Sequence, residues 1–253
     1  MSMNKEVIDT FTDLAIGKLT ETEWLQWFEE HKNLVEITCG RTAFLKIKPK
    51  GNLTCIGNAY AGQTAVITWL KTQNINTEVN NIYQKAYEKE FAEFVKQEKQ
   101  KDKLRQQYVK DNFAYLANSY PRFFKQLQKC FDTTNTIEKG KTFSEISEKE
   151  LFLNITFSPE LITFFSAISK LSLEGIEIDF GTLSVEVFEE KSFLVLGEFW
   201  YYGDGDSLLY DLNHQQLFSY AHEYQPPKLI QLANSVPDLL EKTFTKYLKS
   251  QAE

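Results

Sequence analysis

Apolar and polar positions follow a helical repeat through the first half of the chain and an alternation of two through much of the second. In 4–16, Val7, Ile8, Phe11 and Leu14 recur at helical spacing and Gly17 follows, which predicts a short helix. Thr20 with Glu23 three residues on has the form of a capping box ahead of Trp24, Leu25, Trp27 and Phe28, so a second helix should pack on the first through an aromatic stripe. The stretch 41–48, RTAFLKIK, alternates well enough for a strand, with Phe44 and Leu45 interrupting strict period two and Pro49 and Gly51 ending it. A helix is expected at about 63–72. From Asn80 onward Tyr83, Tyr87, Phe91, Phe94 and Val95 share one helical face, and the segment continues through Leu104, Tyr108 and Phe113 toward Pro121 as a long, charged helix or helical pair. The polar, aperiodic span 132–142, with Gly140, reads as a linker, which gives a helical region at 1–140 and a second domain at 148–253.

That second domain opens on Ser158-Pro159-Glu160, a helix start with Ser as N-cap, Pro at the first helical position and Glu favouring the dipole, leading into Leu161, Ile162, Phe164, Phe165 and Ile168. Ile176, Ile178 and Phe180 then alternate with Glu177 and Asp179, and Leu183, Val185 and Val187 with Ser184 and Glu186, which predicts a hairpin around Gly181 with one wet face. The stretch 193–196 is apolar throughout and reads as a central strand; 208–212 and 217–220 complete a sheet of about five short antiparallel strands. Pro226-Pro227 stops the last strand, and helices are expected at 228–233 and 237–249, the latter with the stripe Leu240, Phe244, Tyr247 and Leu248. The predicted class is α+β: a mostly antiparallel sheet flanked by helices, preceded by a mainly helical region.

With 253 residues, 42% of them apolar, the chain can bury a proper core. Asp9 and Asp13 interrupt any secretory signal core, and no window approaches the roughly 20 apolar residues that span a bilayer, so a soluble, cytoplasmic protein is expected. Cys39, Cys55 and Cys130 are odd in number and widely spaced, which argues against a disulfide framework or zinc site and for reduced core thiols. Charge is uneven: 21 Lys and Arg stand against 18 Asp and Glu in 1–147, but 7 against 17 in 148–253. The acidic half disfavours nucleic acid or an anionic membrane and would draw a cationic partner. The basic run 96–105 reads as the solvated side of an amphipathic helix, without the glycine or aromatic interleaving of a nucleic-acid contact. A calcium loop at Asp204, Asp206, Asp211 and Asn213 fails on spacing, because Gln215 occupies the twelfth position. His214 and His222 lie near these carboxylates, yet no hydrolase motif surrounds them.

The order helix, hairpin, apolar strand, aromatic-rich Gly-Asp turn, strand, Tyr-Asp, strand and closing helix resembles the SUKH superfamily of yeast cell-wall regulators and bacterial immunity proteins. The resemblance covers roughly 150–253. It rests on Ser158-Pro159-Glu160-Leu161 with Phe164 and Phe165, on Asp204-Gly205-Asp206 followed by Leu208-Leu209-Tyr210-Asp211, and on Asn234-Ser235-Val236 through Phe244. The family's Gly-rich stretch after its opening helix is reduced here to Gly175. The resemblance implies a non-catalytic protein-binding module without cofactor or metal, most often an immunity protein that neutralises a toxin domain; the alternative is an intracellular scaffold or regulator. Glu198, Trp200, Tyr201, Tyr202, Asp204, Asp206 and Asp211 are the candidate contact residues, aromatics as anchors and carboxylates as steering charges for a cationic toxin domain.

Overall fold

The computed structural model describes residues 4–188 and 190–251. The chain forms two compact units, 1–99 and 100–253, so the division falls inside a helix and earlier than the polar span 132–142 expected to link them.

The first unit is helical: α1 (Lys5–Ala15), α2 (Glu21–Cys39), α3 (Arg41–Ile47), α4 (Cys55–Thr72) and the first turns of α5 (Ile82–Phe113). The capping box of α2 is present in both directions, Glu23 N donating to Thr20 Oγ1 at 3.2 Å and Thr20 N to Glu23 Oε2 at 2.8 Å. The core gathers Val7, Phe11, Leu14, Trp24, Phe28, Val66, Trp69 and Leu70. Gln63 ties it together from α4, its Nε2 donating to the carbonyls of Leu14, Ala15 and Asn80 at 2.9–3.1 Å. Residues 41–48 are not a strand. Phe44 and Ile47, three apart, are the buried pair of α3, and Gly40, at φ +78°, separates this helix from α2. The thiols are free; Cys55 opens α4 exposed, against the expectation of a core residue, while burial pushes the half-buried Cys39 up to about 12.

The second unit holds α6 (Leu116–Ser119), α7 (Pro121–Cys130), β1 (Thr136–Lys139), α8 (Phe143–Leu153), α9 (Pro159–Ala167), β2 (Ile168–Leu173), β3 (Ile176–Asp179), β4 (Ser184–Phe188), β5 (Lys191–Phe199), β6 (Ser207–Asp211), β7 (Leu217–Ala221), β8 (Lys228–Ala233), α10 (Val236–Asp238) and, after the π-helical stretch Leu239–Phe244, α11 (Thr245–Gln251). The architecture is α+β, but the antiparallel sheet has eight strands rather than about five, in the order β1-β2-β3-β5-β6-β7-β8 with β4 also on β5. The additional strands come from segments whose local pattern pointed elsewhere. The span expected as a linker contributes β1, paired with β2. Residues 169–175, where the SUKH resemblance would place a Gly-rich stretch, form most of β2 and a two-residue turn, Glu174 at φ +42° and Gly175 at φ +81°, closing a hairpin to β3. Segment 228–233, expected as a helix, pairs along β7. The predicted hairpin around Gly181 does not form: β3 and β4 lie end to end along β5, joined by a 3₁₀ turn that Asp179 Oδ1 caps by accepting from Gly181 N at 2.7 Å.

One sheet face packs Leu171, Ile176, Ile178, Leu194, Leu196, Phe199, Leu208 and Tyr210 onto Phe123, Leu127, Leu161, Phe164, Phe165, Leu240, Phe244 and Leu248 of the helices. On the opposite face the register aligns Val195 with Leu209 and Leu209 with Phe218, and Phe188, Phe193, Phe218 and Tyr220 form a ring-to-ring cluster at 4.7–6.1 Å.

Candidate functional site

The aromatic turn leaves the sheet where β5 ends. A bulge between Val195 and Gly197 sets the last residues of β5, so that Phe199 faces the helices and Glu198, paired with Glu177 and Ser207, faces the other way. Gly197 permits this because a Cβ there would stand 1.9 Å from the Glu177 carbonyl. Phe199 N continues the ladder by donating to the Asp206 carbonyl at 2.9 Å, and Trp200 N donates to the Gly175 carbonyl at 2.9 Å. The six residues between Phe199 and Asp206 are thereby pinned at both ends and against the β2–β3 turn.

Trp200, Tyr201 and Tyr202 all reach solvent, 41%, 41% and 38% exposed. Their bases are fixed: Tyr201 stacks on Phe199 at 5.6 Å, meets Tyr202 edge-on at 4.8 Å and approaches Tyr247 at 6.0 Å. Trp200 Nε1 donates to Glu198 Oε2 at 2.7 Å, and its Cβ lies against Gly175. Tyr247, which donates to the Glu174 carbonyl at 2.7 Å, has its phenol pushed up by burial and by the nearby Glu174 and Asp204. Tyr202 is raised by burial, then by Tyr201 and Tyr224. Exposed Glu174, Asp204 and Glu223 rim this cluster along with Glu198.

Asp206 and Asp211 are placed differently from their expected role as steering charges. Asp206 is 1% exposed; its Oδ1 accepts from His222 N at 3.1 Å and pairs with His222 Nδ1 at 2.8 Å, fastening the start of β6 to the end of β7. Asp211, 3% exposed, accepts from Asn213 N at 2.8 Å and His214 N at 3.0 Å and pairs with His214 Nδ1 at 3.0 Å, closing the β6–β7 turn. Burial works to raise the Asp211 carboxyl, and these N–H donors outweigh it and hold it below the usual range. The two histidines therefore belong to turn closure. Among the described residues no group of three or more His, Cys, Asp or Glu side chains is placed to hold a metal ion, and no helix is long and apolar enough to cross a membrane.

The structure brings Glu198, Trp200, Tyr201, Tyr202 and Asp204 together at one end of the sheet and turns Asp206 and Asp211 inward. It adds residues that sequence reading left out. Tyr247 and Gly175 supply the floor, and the half-buried Phe188, Phe218 and Tyr220 form a second apolar area on the opposite face of the sheet. The period-two placing of Phe218 and Tyr220 was a signal for that face; the pairing of Phe188 with Tyr220, over the two intervening strands β5 and β6, was not in the local pattern.

The three sequence segments that carry the SUKH resemblance meet in space. Tyr210 Oη donates to Ser158 Oγ at 2.7 Å, and Glu160 Oε2 accepts from Val236 N at 3.1 Å, so the opening of α9, strand β6 and the start of α10 are joined by polar contacts. These features define a class in physical terms, an α+β unit presenting a rigid aromatic turn with an acidic rim. Comparison with protein-family models, curated proteins and solved structures returned no match.

Proposed function

We propose that the C-terminal unit is a non-catalytic protein-binding module of the SUKH type, and that the chain acts as an immunity protein neutralising a cationic toxin domain. The observation that carries this reading is the turn at 200–204. Three aromatic side chains stand about two-fifths exposed there, on a base fixed by hydrogen bonds and ring contacts, with Glu198 and Asp204 beside them. Pre-ordered aromatics bury large area at little entropic cost, and adjacent carboxylates accelerate encounter with a positively charged partner. The meeting of Ser158 with Tyr210 and of Glu160 with Val236 supports the family reading, since it gives the recurring residues a shared structural task.

The test is co-purification of the tagged chain with the product of its adjacent gene, followed by growth of cells expressing that gene with and without this protein. Tight 1:1 capture with rescue of growth is expected. Trp200→Ala should weaken capture by about 2 kcal/mol or more, roughly thirtyfold, and Asp204→Lys should slow association in a salt-dependent way. Capture without toxicity, or no capture, would move the chain to the intracellular scaffold or regulator class.

A further inference from the structure

The helical unit carries a surface of its own. Helix α4 has no charged residue from Cys55 to Leu70, a composition typical of a helix enclosed on all sides. Its inner face is enclosed: Ala59, Gly62, Gln63, Val66, Trp69 and Leu70 are buried, with Gly62 so close under Trp24 that a Cβ would lie 2.9 Å from the indole nitrogen. Its outer face, Gly57, Ala61, Ala65 and Thr68, is instead the floor of an open groove of about 860 Å³. Thr42, Ala43 and Lys46 of α3 form one wall, with Lys50 at the end; Tyr60 and Tyr87, stacked at 5.5 Å, form the other. At Leu53 and Tyr87 the groove meets a second depression of about 440 Å³ lined by Phe91 and Phe94 of α5, which are 54% and 55% exposed, and by Glu90 and Glu93, so the basic character belongs to the first groove alone. The aromatic face read from the sequence of α5 thus runs out of the core and along this surface.

Charge narrows what fits. Residues 37–77 contain five basic residues, Arg41, Lys46, Lys48, Lys50 and Lys71, and no acidic one. Among the described residues only Arg41 of these is ion-paired, to Glu36 at 2.8 Å, which leaves the exposed Lys46 and Lys50 on the groove without a carboxylate. From Gly57 to Thr72 the floor runs about 22 Å at 1.5 Å per residue, walled by helices, with side chains at Ala61, Ala65 and Thr68 small enough for another backbone to approach closely. An amphipathic helix laid in a groove meets these dimensions, its apolar stripe on the floor and its polar flank at the rim. The geometry points to a docking site for a partner protein's amphipathic helix whose flank is acidic, contacting Ala61, Ala65, Tyr60 and Tyr87 and pairing with Lys46 and Lys50. This site is independent of the aromatic turn, and its occupant has the opposite charge.

Fluorescence polarisation on the full chain tests it, with a labelled, end-capped peptide of about 18 residues, five helical turns, carrying Ala and Leu at i, i+3, i+4 and i+7 and Glu on the flanks, against a twin with Lys for every Glu. The Glu peptide should saturate in the range of about 1–100 µM. The Lys twin, and the Lys46→Glu/Lys50→Glu variant with the Glu peptide, should each bind at least about tenfold more weakly, and Ala65→Trp should block the groove. Thr68→Trp, at an exposed position, replaces Ala65→Trp if the latter lowers the Tm. Equal binding of the two peptides, no saturation by either, or undiminished binding with the groove filled overturns the proposal. So does sedimentation showing the parent chain self-associated and the tryptophan variant monomeric, because the occupant is then a second copy.

Discussion

At Asp211 burial and hydrogen bonding act on one carboxyl in opposite senses, and the donors prevail. A folded-state value below the unfolded one means stability that is present above the unfolded carboxyl pKa of about 3.9 and is lost as pH falls toward the folded value. Asp211→Asn keeps one acceptor for the turn but removes the charge and the bond to His214 Nδ1, and should cost about 1–2 kcal/mol at pH 7. Urea midpoints of the two proteins should therefore be separated at neutral pH and draw together as acid protonates Asp211, below the ordinary carboxylate range; a separation unchanged by acid would show that the charge is not the stabilising element. Asp204, exposed and only two residues before the buried Asp206, illustrates why sequence alone did not sort these carboxylates. All three sit in turn-forming contexts; His222 at the end of the neighbouring strand, sixteen residues on, draws Asp206 inward, Asn213 and His214 hold Asp211, and Asp204 has neither.

Among the elements, β5 has the strictest local requirement. Gly197, at φ +146° in the bulge and facing the Glu177 carbonyl, cannot accept a methyl group without backbone movement. Gly197→Ala should destabilise the second unit by roughly 3 kcal/mol or more and perturb the near-ultraviolet signal of the aromatic turn that follows; a melt within a degree or two of the parent would contradict this placing of the bulge. Helices with their own stop and start chemistry were legible in the sequence: the Thr20 and Ser158 caps form as read, and Pro159 opens α9. The misread elements are short segments whose partners decide their state. RTAFLKIK becomes a helix because Phe44 and Ile47 can both reach the α4 side, and KLIQLA becomes a strand because β7 offers a free edge. In β1 only Ile137 is buried, too little apolar pattern to distinguish four residues of edge strand from a linker. Of the candidate site, the exposed aromatics and Asp204 were visible; the floor from Tyr247 and Gly175 arises from long-range packing.

For the molecule as a whole, each unit has its own apolar cluster, one built from residues between Val7 and Tyr83 and the other from residues between Val109 and Leu248. Phe11, fully buried and edge-on to Trp69 at 5.5 Å, belongs to the first; Phe165, fully buried and 5.1 Å from Phe164, to the second. Phe11→Ala and Phe165→Ala should each cost about 3–5 kcal/mol, and calorimetry should show each lowering a different transition. Three of the four tryptophans, Trp24, Trp27 and Trp69, lie in the first unit, so intrinsic fluorescence should follow chiefly the Phe11→Ala transition. Both substitutions moving a single common transition would mean that the two cores melt as one. The strand order of the sheet has a kinetic consequence. Apart from β4, each strand lies beside the next in the chain, all pairs antiparallel, so no crossover has to be threaded and each hairpin can close onto an edge left by the one before. Loop-closure entropy is then met in small instalments, and the sheet can grow in the direction of synthesis from β1 to β8 as the ribosome releases it.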